Sequence, residues 1–258
     1  MKFARFIYND KEYFGVVIED RIKLIEGDLF GSWEYTGETV ARGEVDLLAP
    51  IVPKKIIGIG ANFVGKKEEL PSSLPEMPVF FFKPDSSVTG PDTEVIVPET
   101  LDEIKFESEL AVVIGRETKN VSKEEVLDYI FGYTIGNDVT APQFFHENGH
   151  WTLGKAFDTF TPIGPVIETE LDPNKVYVKA EVNGEGKQNS PTNLMIVPLK
   201  EMIAYLSKVM TLQPGDVILT GSPLGAHFVK DGDVVECIID EIGSLKNTFV
   251  KAPVPINS

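Results

Sequence analysis

The chain has 258 residues, of which 40 are acidic and 24 basic, giving a formal net charge of −16. That charge opposes binding to nucleic acid, because duplex recognition runs on lysines and arginines that displace counterions from phosphates. Hydrophobic residues at 42% and charged residues at 25% are those of an ordinary globular protein, long enough to bury a core without disulfides.

Residues 2 to 25 read as short strands, with β-branched and aromatic residues between the turn signals Asn9-Asp10-Lys11 and Glu19-Asp20. The Pro-bounded stretch Ala49-Pro50-Ile51-Val52-Pro53 then places a soft boundary near residue 52, separating a small N-terminal β unit (1–52) from a main domain (53–258). Nothing in Met1 to Tyr8 resembles a secretory signal, and no apolar run reaches the roughly 18 residues of a membrane span. The sole cysteine, Cys237, has no internal partner and lies in an apolar run, as a buried small hydrophobe in a reducing compartment would. A cytoplasmic protein that engages no membrane is the expectation.

Within the main domain Lys55 to Gly60, Val79 to Lys83, Leu110 to Ile114 and Val217 to Thr220 are short apolar runs with the boundaries of buried strands. Ser122 with Glu125 forms a capping box ahead of Val126 to Ile130, predicting a helix closed near Gly132. Tyr177 to Val182 followed by Asn183-Gly184 predicts a hairpin with a type I′ turn, and Asp231-Gly232 repeats the signal. Pro198 opens a second helix over Leu199 to Met210. With only two helices among many strands, the fold class is α+β and sheet-dominated, with no internal repeat or low-complexity segment.

The chemistry centres on Phe106-Glu107-Ser108-Glu109-Leu110, where two carboxylates at i and i+2 of a strand share a face and repel unless a cation lies between them. The run Gly132 to Asp138 brings a third carboxylate to the end of another apolar strand. Three carboxylates suit hard cations such as Mg²⁺, Mn²⁺ or Ca²⁺, whose remaining positions accept water or a bidentate oxo-acid. Lys155, amid small and apolar residues, can face an anionic substrate, and the Gly-rich turn Thr220-Gly221-Ser222-Pro223 offers hydroxyls and N–H groups to a carboxylate.

Glu107 to Gly115, Gly132 to Ala141, Gly154 to Asp158, Val182 to Glu185 and Leu212 to Pro223 follow one another in an order that resembles the fumarylacetoacetate hydrolase superfamily over roughly residues 55 to 250. The resemblance implies a mixed β-roll, a homodimer, and Mg²⁺, Mn²⁺ or Ca²⁺ held by Glu107, Glu109 and Asp138. It implies Lys155 as a catalytic residue and places Thr159, Thr220, Ser222 and Lys83 near the substrate. The substrates it implies are β-diketo acids, acylpyruvates, oxaloacetate and hydroxymuconate-type dienoates, undergoing C–C hydrolysis, decarboxylation or isomerisation.

Two departures from the family pattern bear on the reaction. Lys66 stands where a His–Glu dyad has its histidine, leaving Glu69 without that partner, and Ala141-Pro142-Gln143 lacks the arginine that commonly follows the aspartate. An unperturbed lysine, with a pKa of about 10.4, cannot act as a base near neutrality, so proton transfer falls to Glu69 or to His146. A rival reading is the H-E-x-x-H spelling of His146 to His150, with Glu168 as third zinc ligand; it requires a helix, which Asn148-Gly149 disfavours. A metal- and oxo-acid-binding homologue without turnover is the other alternative.

Overall fold

A computed structural model of the protein describes residues 1–76, 78–147 and 150–252. Its N-terminal strands are β1 (Lys2–Tyr8), β2 (Lys11–Ile18), β3 (Arg21–Gly27) and β4 (Trp33–Ala41), followed by β5 (Ile56–Ile59), β6 (Phe80–Lys83) and β7 (Glu94–Val97). Next come β8 (Ser108–Ile114), β9 (Ile130–Asn137), the short helix α1 (Thr152–Lys155), β10 (Thr161–Glu168), β11 (Tyr177–Val182) and β12 (Glu185–Pro191). Helix α2 (Leu199–Val209), β13 (Val217–Leu219), β14 (Val234–Ile239) and β15 (Gly243–Lys251) complete the principal elements. The architecture is the sheet-dominated α+β expected from the sequence.

One large mixed sheet runs in the order β4-β3-β2-β1-β10-β9-β8-β13-β5-β6, with β13 and β5 parallel. The N-terminal strands therefore continue the main sheet, β1 pairing Lys2 with Glu168 of β10. A second sheet, in the order β12-β11-β14-β15-β7, packs across β8, β9 and β10. Every residue of β8 is buried, because both faces of the large sheet are covered. Alternation splits them: Leu110, Val112 and Ile114 join the core shared with Cys237, Ile239 and Phe249, while Ala111 and Val113 pack with Phe3, Ile25, Val217 and Leu219 on the opposite side.

Local signals behaved unequally. Asn183 and Gly184 adopt φ of 52° and 79°, the two positive values that a type I′ turn needs, and β11 and β12 pair on either side. Helix α2 buries Leu199, Met202, Ile203 and Leu206 at i, i+3, i+4 and i+7, as its pattern predicted. The helix expected after Ser122 is only a 3₁₀ turn over Val126–Tyr129. Ser122 does receive Glu125, its hydroxyl donating to Oε2 at 2.6 Å, but Ile130 is already committed to the sheet opposite Ile114. Asp231-Gly232 is likewise not a I′ hairpin. Only Gly232 has positive φ, and the two-residue strand Phe228–Val229 before it pairs with Ile104–Lys105 rather than with β14.

Candidate active site

Strand register assembles the acidic cluster. Ser108 of β8 lies opposite Asn137 of antiparallel β9, so the next residues outward, Glu107 and Asp138, face each other. Backbone and side chain lock that end: Asp138 N–H donates to Glu107 O at 2.9 Å, and Glu107 N–H donates to Asn137 Oδ1 at 2.9 Å. Glu109, two residues into β8, turns to the same place, and the three carboxylates offer oxygens that all lie within 4.8 Å of one another. Glu109 and Asp138 are buried; Glu107 is partly exposed.

The charges are interlocked. Lys155, carried by α1, donates to Glu107 Oε2 at 2.7 Å and also to Asp138 Oδ2. Lys83, at the end of β6, donates to Asp138 Oδ1 at 2.5 Å and to Val139 O at 3.3 Å. Burial opposes charge on Lys155, but Asp138 and Glu107 outweigh it and hold its pKa above the usual lysine value. Burial depresses the pKa of Lys83 despite Asp138 beside it, and Lys155 adds to that depression. Burial works against the charged form of Asp138 too, yet Lys155 and Lys83 hold its pKa below the ordinary carboxylate value.

Glu109 is the odd member. Its Oε2 accepts the Gly221 N–H at 2.7 Å, but it pairs with no cationic side chain among the described residues. Burial, followed by repulsion from Asp138 and Glu107, raises its pKa well above that of an ordinary glutamate. Glu109 thus adds a carboxylate with no ammonium of its own to the cluster, and an all-oxygen donor set of this kind fits a hard divalent cation. The residues that could hold it are Glu107, Glu109 and Asp138.

These groups line a cavity of about 590 Å³. Its acidic floor carries Lys155, with Lys105 at 3.6 Å from Glu107; the walls include Phe63, Phe145, Trp151, Ile196 and the turn Ser222 to Ala226. Trp151 stacks on Phe145 with ring centroids 5.4 Å apart, and only glycine fits beneath it, since a Cβ on Gly60 would stand 1.9 Å from the indole. Gly221 is equally constrained: with φ of +97° it presents its N–H to Glu109, and a Cβ there would meet Asn62 at 2.6 Å.

The other expected site residues fall in different places. Ser222 lines the cavity. Thr220 is buried behind it, its hydroxyl donating to Leu110 O at 2.8 Å. Lys83 is outside the cavity lining and braces Asp138 from behind. Thr159 accepts the Ile96 N–H at 2.8 Å, away from the cavity lining. Glu69 and His146 are exposed and outside the cavity lining: Glu69 accepts the Gly65 N–H at 3.0 Å in a loop that leans on Leu224, and His146 follows the lining residue Phe145 in the chain. The zinc-peptidase arrangement is not formed. His146 and His150 lie outside any helix, His146 N–H donating to His150 O at 3.0 Å, and Glu168 is engaged by the Met1 ammonium. Asn148-Gly149, the expected helix breaker, lies outside the described residues. Sequence reading missed Lys105, Phe145 and Trp151, which carry no motif of their own.

The family model for the fumarylacetoacetate hydrolase C-terminal domain matches residues 55–250, and that for the Rv2993c-like N-terminal domain matches residues 1–50. The chain is similar to the mitochondrial oxaloacetate tautomerase of Xenopus laevis, at 43% identity over 82% of this chain and 70% of that one. Its structure resembles the 5-carboxymethyl-2-hydroxymuconate delta-isomerase of Mycobacterium smegmatis, with a TM-score of 0.92, 39% identity, and 98% of this chain and 100% of that chain covered. It also resembles the maleylpyruvate hydrolase of Sphingobium, in complex with manganese(II) and pyruvate, with a TM-score of 0.82, 29% identity and the same coverage. The chain belongs to the fumarylacetoacetate hydrolase family, and it is an enzyme of that family. No described helix is long and apolar enough to cross a membrane.

Proposed function

We propose that this enzyme shifts protons on small 2-oxo acids, by keto–enol tautomerisation or double-bond isomerisation, with Mg²⁺ or Mn²⁺ bound to Glu107, Glu109 and Asp138 (Ca²⁺ being the alternative ion). The observation that carries the reading is the composition of the cavity: three carboxylates and Lys155 at the floor, and no histidine among its described lining residues. C–C hydrolysis on the family pattern uses a His–Glu dyad to activate water. At the family's histidine position stands exposed Lys66, whose ammonium is 3.8 Å from Glu69 Oε1 outside the cavity lining.

When bound, the divalent ion supplies Lewis-acid polarisation of a 1-carboxylate and 2-oxo pair. The chain's own groups do the rest. Lys155, kept protonated by Asp138 and Glu107, presents an N–H donor to the oxygen on which negative charge gathers. Ser222 and the adjacent turn offer polar contacts to the carboxylate, while Trp151, Phe145, Phe63 and Leu224 exclude water and receive the carbon chain. Glu69 and His146 are the rim groups proposed to exchange the carbon-bound proton. Names of the relatives support the substrate class: two act on oxaloacetate and a hydroxymuconate, and the third holds pyruvate.

The test is to follow oxaloacetate enol decay, hydroxymuconate isomerisation and pyruvate release from acylpyruvates, each with Mg²⁺ or Mn²⁺. Proton-shift activity should dominate; pyruvate release at a comparable or higher rate would overturn the reading. A homodimer is the proposed assembly, to be checked by light scattering.

A further inference from the structure

Of the seven residues of strand β12 only Gln188 is buried, at 3% exposure. A strand that sends one side chain inward would ordinarily send an apolar one, since an amide buried without partners is costly. Here every hydrogen-bonding function of the amide is used. Gln188 Oε1 accepts the Ser108 N–H at 3.1 Å, and Nε2 donates to Ser222 Oγ at 2.9 Å and to Pro223 O at 2.6 Å.

Those partners belong to the two halves of the site. Ser108 lies between Glu107 and Glu109 in β8, whereas Ser222 and Pro223 lie on the turn that forms the facing wall. The turn also rests on the same arm, because a Cβ on Gly225 would stand 2.2 Å from Lys187 O and 3.4 Å from Gln188 Cγ. By donating to Ser222 Oγ, the amide leaves the serine hydroxyl hydrogen to point elsewhere, and the cavity is where that side chain is exposed. We propose that Gln188 is a positioning residue, clamping the Ser222–Ala226 turn to the strand that bears Glu107 and Glu109 and fixing Ser222 as a donor into the cavity. Gln188 itself is outside the cavity lining. The proposal rests on the oxo-acid reading only where turnover is measured.

Gln188→Met keeps the volume and removes all three hydrogen bonds; Gln188→Glu keeps the acceptor for Ser108 and removes the two donors at neutral pH. Hydrogen–deuterium exchange reads the clamp without any substrate. In Gln188→Met the amides of Ser108 and of Gly221, Ser222 and residues 224 to 226 should exchange faster, and in Gln188→Glu only those of the turn. Unchanged exchange in both variants overturns the proposal. For catalysis, each variant should raise KM for the oxo-acid about tenfold, the scale of one hydrogen bond lost between Ser222 and the substrate, with Mn²⁺ affinity changed less than KM. A double-mutant cycle with Ser222→Ala decides the route: if Gln188 acts through Ser222, the double variant is no worse than either single one. Additive losses would overturn that route. Faster exchange in variants of a protein that turns over no oxo-acid even as wild type would instead overturn the substrate reading and leave the clamp standing.

Discussion

The floor and the rim of the cavity contain the same kinds of residues, carboxylates and lysines, yet they are built differently. At the floor and behind it, Glu109, Asp138, Lys83 and Lys155 are buried on or beside strands and on a short helix, each with fixed partners, and their pKa values move. At the rim, Lys66 and Glu69 pair loosely at 3.8 Å on a solvated loop, with both side chains at least half exposed. Charge taken from water must be balanced by fixed neighbours, whereas charge left in water need not be. Residue type alone therefore does not mark a functional group here; its confinement does.

The sharpest way to break this contrast is Asp138→Asn. It leaves buried Lys83 without its carboxylate and Lys155 with Glu107 alone, and removing one partner of such a network costs about 3 kcal/mol or more. Thermal unfolding should show that loss together with abolished Mn²⁺ binding in calorimetry; a normal melting temperature would mean the floor is less confined than described. Lys155→Met comes next, with kcat expected to fall about 10²- to 10³-fold, the scale of losing a donor aimed at developing charge. Lys83→Met should act mainly on stability and metal affinity, because Lys83 does not line the cavity.

A pH titration separates floor from rim more finely. Because the folded-state pKa of Glu109 is raised, the metal-free fold binds a proton that the unfolded chain has released, so its stability falls as pH rises through and above the ordinary glutamate range. Protons compete with the cation for the same oxygens, so Mn²⁺ affinity should keep rising with pH in that window, and Glu109→Gln should flatten the dependence. Buried Cys237, its thiol pushed up to about 12 by desolvation, should resist disulfide reagents until the protein unfolds. The smallest effect belongs to the rim: Glu69→Gln and His146→Ala should shift stability by no more than about 0.5 kcal/mol, leaving kcat as the readout of any proton-transfer role.

How far these regions could be read from sequence follows the same division. The acidic cluster was legible because two carboxylates spaced by two on one strand and a third ending the next strand converge in a single antiparallel register. Asn183-Gly184 was legible because a I′ turn is a strictly local demand. Lys83 was placed with the substrate, but its role depends on Asp138, 55 residues away, and no local pattern encodes which face of that carboxylate it reaches. Gln188 was invisible for a similar reason: its partners are 80 and 34 residues distant, and a lone glutamine in a polar strand reads as solvated. The capping box after Ser122 formed its side-chain bond and still lost the helix, since pairing of Ile130 with Ile114 overrode local propensity.

The pairing of Ser108 with Asn137 has one more consequence, for how the protein breathes. Glu109 sits on a strand hydrogen-bonded to β9 on one side and to β13 on the other, so displacing it requires unzipping the middle of the large sheet. Such openings belong to the rarest fluctuations of a native protein, while loops and short helical turns open far more often. An ion bound at the proposed site would then exchange with solvent through the mouth of the cavity, with Glu109 staying in the sheet. Exchange of such an ion and global unfolding would then be separate clocks, the second set by the sheet beneath the cavity.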